Sequence, residues 1–259
     1  MDFAYIAGGF VVGIVVGLTG VGGGSLMTPF LIFVGIPPAV AVGTDLLFAA
    51  ITKSFGVVAH QRKHTVWWRV VVLLALGSVP LSLLCVLLLG YLAESGADLS
   101  PIITRAISVS LILTALVLLF REHLQRAAAH RRFDGVRAFH VRWSDVMTVL
   151  AGAVLGVLVT LSSVGAGALG AALLVALNPR MPAVSVVGTD IAHAVPLTAI
   201  AGSGHLHLGT VDVALLLYLL IGSVPGIMLG ARLGVGLPEN IMRRALGTML
   251  LFLGVALAL

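Results

Sequence analysis

Apolar residues run along the chain in long segments that short polar joints separate. Most of these segments are long enough for a helix to cross a bilayer core of about 30 Å. The pattern therefore predicts an all-α integral membrane protein. We predict apolar segments at 3–19, 24–35, 39–59, 66–91, 101–120, 145–163, 167–178, 183–204, 210–231 and 241–259.

Two segments are too short to cross the membrane. Residues 24–35 and 167–178 would form helices of only about 18 Å. Each follows a Gly/Ser-rich stretch, which we name the first break (residues 20–25) and the second break (residues 162–167). Non-helical backbone is tolerated at membrane depth only where protein or a cavity surrounds it. We therefore expect a broken or re-entrant helical hairpin at each place.

The chain also repeats itself at an offset of 145 residues. Val42-Gly43-Thr44-Asp45 aligns with Val187-Gly188-Thr189-Asp190, and Gly77-Ser78-Val79-Pro80 aligns with Gly222-Ser223-Val224-Pro225. This predicts a first repeat over 1–120 with its hairpin at 3–35, a linker at 121–144, and a second repeat over 145–259 with its hairpin at 145–178. Each hairpin would precede three transmembrane helices.

The placement of Lys and Arg orients the chain. Basic residues concentrate in the joints at 59–69, 121–142 and 232–244, which should be cytoplasmic. Counting crossings places both termini outside and makes the repeats inverted in topology, provided that each hairpin enters and leaves on one side. The net charge of +5 is accounted for in this way and does not indicate nucleic acid.

Inverted repeats with interrupted helices place a substrate site near the bilayer midplane. Glycine-rich turns expose backbone N–H groups, and helix N-termini attract anions. Close helix packing is the alternative reading of the glycines, and we favour it for the GxxxG spacing of Gly9, Gly13 and Gly17. The predicted substrate-binding residues are Gly20, Gly22, Gly23, Gly24, Ser25, Ser162, Ser163, Gly165, Gly167, Thr44 and Thr189.

Ionisable residues inside apolar segments are candidates for proton coupling or gating. Asp45 and Asp190 occupy equivalent positions, Lys53 lies one to two turns after Asp45, and His193 shares a helical face with Asp190. Structural readings stay open for each of them: a carboxylate bonded to a nearby loop, a lysine that reaches the membrane edge, and a packing histidine.

Other site chemistry has little support in the sequence. His205-x-His207 has no third ligand, so we expect no metal, and Cys85 stands alone. The first break is no nucleotide loop, since no strand precedes it and no lysine follows it. We expect neither a cofactor nor an enzyme.

The motif Gly13-x3-Gly17-x2-Gly20-x-Gly22-Gly23-Gly24, with Pro29 and Ala41-Val42-Gly43-Thr44 after it, resembles the TauE/SafE sulfite-exporter family. The second half repeats much of the motif, although Leu174 stands where a counterpart of Pro29 would be. The resemblance implies a transporter, generally an exporter, of sulfite, sulfoacetate or related organosulfonates. An uptake permease and an anion channel remain alternatives.

That reading has consequences for location and partners. A transporter of this kind would lie in a bacterial cytoplasmic (inner) membrane as a multi-pass protein. Its partners would be a small anion and membrane lipids, with a homodimer left open.

Overall fold

The computed structural model describes residues 2–19, 24–130, 134–233 and 239–258, and the regular structure in these ranges is helical throughout. The helices are α1 (Asp2–Thr19), α2 (Gly24–Phe33), α3 (Pro38–Arg62), α4 (Trp68–Glu94), α5 (Ser100–His130), α6 (Asp134–Ser162), α7 (Ala168–Leu177), α8 (Ala183–His207), α9 (Val213–Leu233) and α10 (Glu239–Ala258).

In the described ranges, six stretches of helix are long and apolar enough to cross a membrane. Large apolar side chains on their outer surfaces are exposed, as Leu87 (70%) and Ile221 (60%) illustrate. A surface of this kind suits hydrocarbon and not water. The predicted fold class, an all-α integral membrane protein, is confirmed. The six stretches are Pro38–Arg62, Trp68–Glu94, Ser100–Phe120, Trp143–Ser162, Ala183–His207 and Val213–Gly230.

The helix boundaries follow simple local signals. Pro37 and Pro182 are the N-cap residues of α3 and α8. Proline disfavours helical conformation in the residue before it, so neither helix extends further toward the N-terminus. α5 begins after Asp98, whose side chain accepts a hydrogen bond from the Ser100 N–H at 2.9 Å. This bond holds the pKa of Asp98 below its usual range.

The linker predicted at 121–144 is largely helical. α5 continues to His130 and α6 starts at Asp134, so both helices extend beyond their apolar segments. Alanine and arginine are strong helix formers, and a polar helix end outside the membrane needs no apolar face. The division into domains at this linker stays a prediction.

Glycines bring helices of the two halves into close contact. A β-carbon at Gly9 or Gly13 of α1 would touch main-chain atoms of Leu219 or Ser223 on α9. Gly152 and Gly156 of α6 meet α4 in the same way. Both pairs run parallel, because contacts advance in the same direction along the two helices. Each hairpin therefore packs against a helix of the other half.

Equivalent helices of the two halves run antiparallel. Gly43 of α3 lies against His205 near the end of α8, and Gly188 of α8 lies against His60 near the end of α3. α5 and α10 also pair antiparallel, with Ser108 Oγ donating to the Gly254 carbonyl at 2.6 Å. A two-fold axis perpendicular to the helices would relate such pairs, as inverted repeats require.

Helix directions are also those expected of a second hairpin that doubles back. α6 runs parallel to α4, as the glycine contacts above show. α8 also runs parallel to α4, because His193 bonds to Ser78 and, further along both helices, Gly204 lies beside Val86. Since α6 and α8 share a direction, α7 must return between them. A broken pair that enters and leaves on one side has this geometry.

Candidate functional site

A buried lysine joins the two halves at the second break. Lys53 lies well inside α3, and only 7% of it is exposed. Its Nζ donates to the Ala166 carbonyl at 2.7 Å. The Lys53 side chain therefore turns into the protein and does not reach a membrane edge. A buried ammonium is tolerated only with such partners.

Asp45 lies on the same helix and bonds to α2. Thr28 Oγ1 donates to Asp45 Oδ2 at 2.5 Å, and both residues are fully buried. The Ser163 hydroxyl of the second break lies beside this carboxylate. Asp45 Oδ1 and Ser163 Oγ nevertheless have no hydrogen-bond partner among the described residues. An unpaired buried oxygen of this kind calls for an explanation.

Asp190 lies against the backbone of α7. Its Oδ1 occupies the space that a β-carbon on Gly170 would need, so glycine is required there. Asp45 and Asp190 both interact electrostatically with Lys53. We name the assembly of Thr28, Asp45, Lys53, Ser163, Asp190 and the Ala166 carbonyl the polar cluster.

The second break supplies the irregular backbone of this cluster. Ser163, Gly165 and Gly167 have positive φ angles of 55°, 115° and 145°. Ser162 Oγ donates to the Leu158 carbonyl and accepts from the Val164 N–H, so it stabilises the turn. Of these two serines, Ser163 is the one whose hydroxyl has no hydrogen-bond partner in the described part of the chain. Its left-handed conformation is uncommon outside glycine and is a reason to suspect function.

His193 links the cluster to α4. Its Nε2 lies 2.8 Å from Ser78 Oγ, and both side chains are buried. Lys53 is the charged group that acts on the ring. The equivalent of His193 in the first half is Phe48, and the equivalent of Lys53 in the second half is Thr198. The cluster is thus asymmetric although the backbone repeats.

The two predicted threonines have structural bonds. Thr44 Oγ1 accepts from the Asp212 N–H at 3.1 Å, and Thr189 Oγ1 accepts from the Trp67 N–H at 3.0 Å. These reciprocal bonds join α3 to the residue before α9, and α8 to the residue before α4. Their role as substrate ligands stays a prediction.

The first break can be placed only in part. Gly20, Gly22 and Gly23 lie outside the described residues. Gly24 begins α2 and Ser25 follows it, and the Ser25 side chain is likewise outside the described part. Within the described ranges, no three His, Cys, Asp or Glu side chains gather into a metal site.

Comparison with known proteins identifies the family. A profile described as "Sulfite exporter TauE/SafE" matches residues 5–257. The chain belongs to the TauE/SafE family. Its members are membrane transporters, and this chain is a multi-pass membrane transporter of the same kind.

Related membrane transporters match most of the length of the chain. The "Probable membrane transporter protein YjnA" of Bacillus subtilis is 37% identical over 99% of this chain and 100% of its own length. A probable membrane transporter of Methanocaldococcus jannaschii is 28% identical over 93% of this chain and 88% of its own. No solved structure matches the chain.

Three groups at the site were not among the residues predicted from the sequence. Thr28 lies in a short apolar helix with no marker of its role, and the Ala166 carbonyl is a backbone group. Ser78 belongs to the second repeated tetrapeptide, which was a usable signal. Pairing it with His193 required the packing of α4 on α8.

Proposed function

We propose that this protein exports a small sulfur-containing oxyanion across the cytoplasmic membrane of a bacterium by alternating access. Sulfite, sulfoacetate and related organosulfonates form the substrate class. The observation that supports this most directly is the buried Lys53 ammonium, which bonds a backbone carbonyl in the second break. An oxyanion is a stronger acceptor for an ammonium than a neutral carbonyl is.

The neighbouring groups suit the same ligand. The Ser163 hydroxyl has no hydrogen-bond partner among the described residues and can donate to a sulfonate oxygen. Gly165 and Gly167 let the backbone turn closely around a ligand, and α7 directs its positive N-terminal end at the break. We expect the substrate to replace the Ala166 carbonyl at Lys53 and to bond Ser163.

The proposed topology places this site deep in the membrane. Lys53 and His193 lie near the middle of α3 and α8, which are both candidate spans. The antiparallel pairs fit inverted repeats that rock against each other. In this proposal residues 121–144 are cytoplasmic and both termini are outside. Gly20 and Gly22–Gly24 stay predicted substrate ligands.

Counterflow in proteoliposomes tests the proposal. Purified protein should exchange labelled sulfite or sulfoacetate against unlabelled anion, with saturation. Flux without saturation or exchange would indicate a channel and contradict the proposal. A comparison of right-side-out and inverted vesicles from cells would separate export from uptake, and exclusive uptake would contradict the exporter.

A further inference from the structure

Two side chains that lie beside one another across the interface of the two halves each have a buried oxygen without a hydrogen-bond partner among the described residues. Asp45 Oδ1 belongs to α3, and Ser163 Oγ belongs to the second break. Asp45 is fully buried and Ser163 is 2% exposed, so bulk water cannot pair with either atom. No atom of Asp190 is among the described buried atoms that lack a partner.

The charges around these atoms do not balance. Asp45, Lys53, Asp190 and His193 are the titratable groups that face one another here, and the electrostatic neighbours of Lys53 are the two carboxylates. α2, the second break and α7 contribute no titratable side chain. With both carboxylates ionised, Lys53 protonated and the neighbouring His193 neutral, these four groups have a net charge of −1. Such a cluster would repel the anion that the transporter must bind.

We propose that Asp45 takes up one proton each time the substrate anion binds, and that Asp190 does not. The inference rests on the proposed function and identifies the proton as its coupling ion. The proton would reside on Asp45 Oδ1 and donate to Ser163 Oγ, while Oδ2 keeps its bond from Thr28. One proton thus gives both unpartnered oxygens a partner and leaves the cluster neutral before the anion enters.

Rotation of the Ser163 hydroxyl toward Asp45 would pair the same two atoms without a proton. It would also leave the net negative charge in place beside the anion. A carboxylate buried without a compensating charge prefers its neutral form. The protonated bond, moreover, leaves the Ser163 hydrogen free to donate to the substrate.

Coupling of this kind would link substrate binding to the contact between α3 and the second break. Lys53 and Asp45 both lie on α3 of the first half, and both reach the second break. The proton adds a bond between α3 and the break when the anion weakens the Lys53 bond to Ala166. The carrier also moves one negative charge fewer per cycle, so its flux depends less on the membrane potential.

Calorimetry tests the proton directly. Sulfoacetate is titrated into detergent-purified protein near neutral pH, where its own acidic groups are ionised, in buffers of different ionisation enthalpy. The wild type should take up one proton per anion bound, and Asp45→Asn none. The exposed-site control Asp145→Asn should retain the uptake. Ser163→Ala should bind the anion more weakly, with its proton uptake reduced.

The outcomes separate the two proposals. Counterflow of sulfoacetate without proton uptake by the wild type would overturn the inference and leave the exporter standing. Proton uptake that persists in Asp45→Asn, or is unchanged in Ser163→Ala, would equally overturn it. Absence of sulfoacetate and sulfite counterflow would overturn the exporter and the inference together. The wild-type measurement tests the uptake and Ser163→Ala tests its location, so failure of Asp45→Asn to fold does not protect the proposal.

Discussion

At the scale of single residues, the buried charged groups of this transporter compensate one another. Lys53 is tolerated inside the protein because the Ala166 carbonyl and two carboxylates face it. Asp45 in turn depends on Thr28. Removal of any one partner leaves another group buried without compensation, which is more costly than the bond itself is favourable.

Replacement of the lysine tests this balance. Lys53→Met should abolish transport and lower the free energy of unfolding by about 3 kcal/mol, because two carboxylates lose their counter-charge. The thermal melt of the detergent-solubilised protein and anion counterflow measure the two effects. The control Lys63→Met removes an exposed charge beyond α3 and should leave both unchanged. A fully stable, active Lys53→Met variant would contradict the assignment.

The threonine makes a smaller, separable contribution. Thr28→Val keeps the shape but removes the donor to Asp45 Oδ2, so the protein should lose about 1–3 kcal/mol of stability. Thr52→Val is the matched control, since Thr52 bonds only carbonyls of its own helix. Equal melting temperatures for the two variants would show that the Thr28 bond is unimportant.

At the scale of helices, small residues set the distances. α1 packs on α9, and α6 on α4, through glycines that meet the main chain of the partner helix. Without a hydrophobic driving force inside lipid, such close contact is what holds helices together. The hairpins and the spans they touch therefore have little room for larger side chains.

A bulky residue in this packing should separate the helices. A β-carbon at Gly222 would overlap the Ile6 carbonyl oxygen, a main-chain atom that cannot turn aside. Gly222→Val should therefore reduce the yield of folded protein in size-exclusion chromatography. At Gly56 the nearest atom is a side-chain carbon of Ile191 at 3.4 Å, so Gly56→Ala should fold normally. Normal yield of Gly222→Val would argue against the parallel α1–α9 contact.

The second break depends on backbone conformation in the same way. Gly167 has a φ of 145° where α7 begins, and a side chain there would add strain of about 1–3 kcal/mol. Gly167→Val should insert into the membrane but lose anion counterflow, because the break can no longer hold its turn. Ala168→Val, one residue on and inside α7, is the control that should transport. Undiminished transport by Gly167→Val would remove the break from the site.

At the scale of the whole molecule, the helix directions fit a single topology. α4, α6 and α8 run one way, α1 runs parallel to α9, and α3 opposes α8. These are the relations that the crossing count from Lys and Arg requires. The contacts leave open which end is cytoplasmic, and the basic joints supply that prediction.

Cysteine labelling in intact cells tests this orientation. In a Cys85→Ser background, Asp98→Cys should react with an impermeant maleimide added outside. Gln125→Cys should react only after the membrane is permeabilised, because the linker is predicted to be cytoplasmic. The unmodified Cys85→Ser protein controls for background labelling. Labelling of Gln125→Cys from outside would reverse the topology and the proposed direction of the second hairpin.

The sequence by itself determined the class and the plan of the molecule. Apolar runs require a bilayer, and the offset of 145 residues aligns α3 with α8 and α4 with α9. The second break was recognisable because serine and glycine cluster at residues 162–167 within an otherwise apolar segment. Asp45, Asp190, Lys53 and His193 stood out because ionisable residues in apolar segments are rare. These are properties of composition, spacing and repetition, which can be recognised in the sequence without a structure.

The tertiary structure alone decided which of these groups meet. Thr28 pairs with Asp45, Lys53 reaches Ala166, and Ser78 bonds His193 only because α3, α4 and α8 cross where they do. The repeat predicted equivalent roles for Asp45 and Asp190, but their surroundings differ: one faces two hydroxyls, the other the backbone at Gly170. Contacts between residues far apart in the chain depend on packing and not on local pattern. For that reason the charged residues could be predicted from the sequence, but their partners could not.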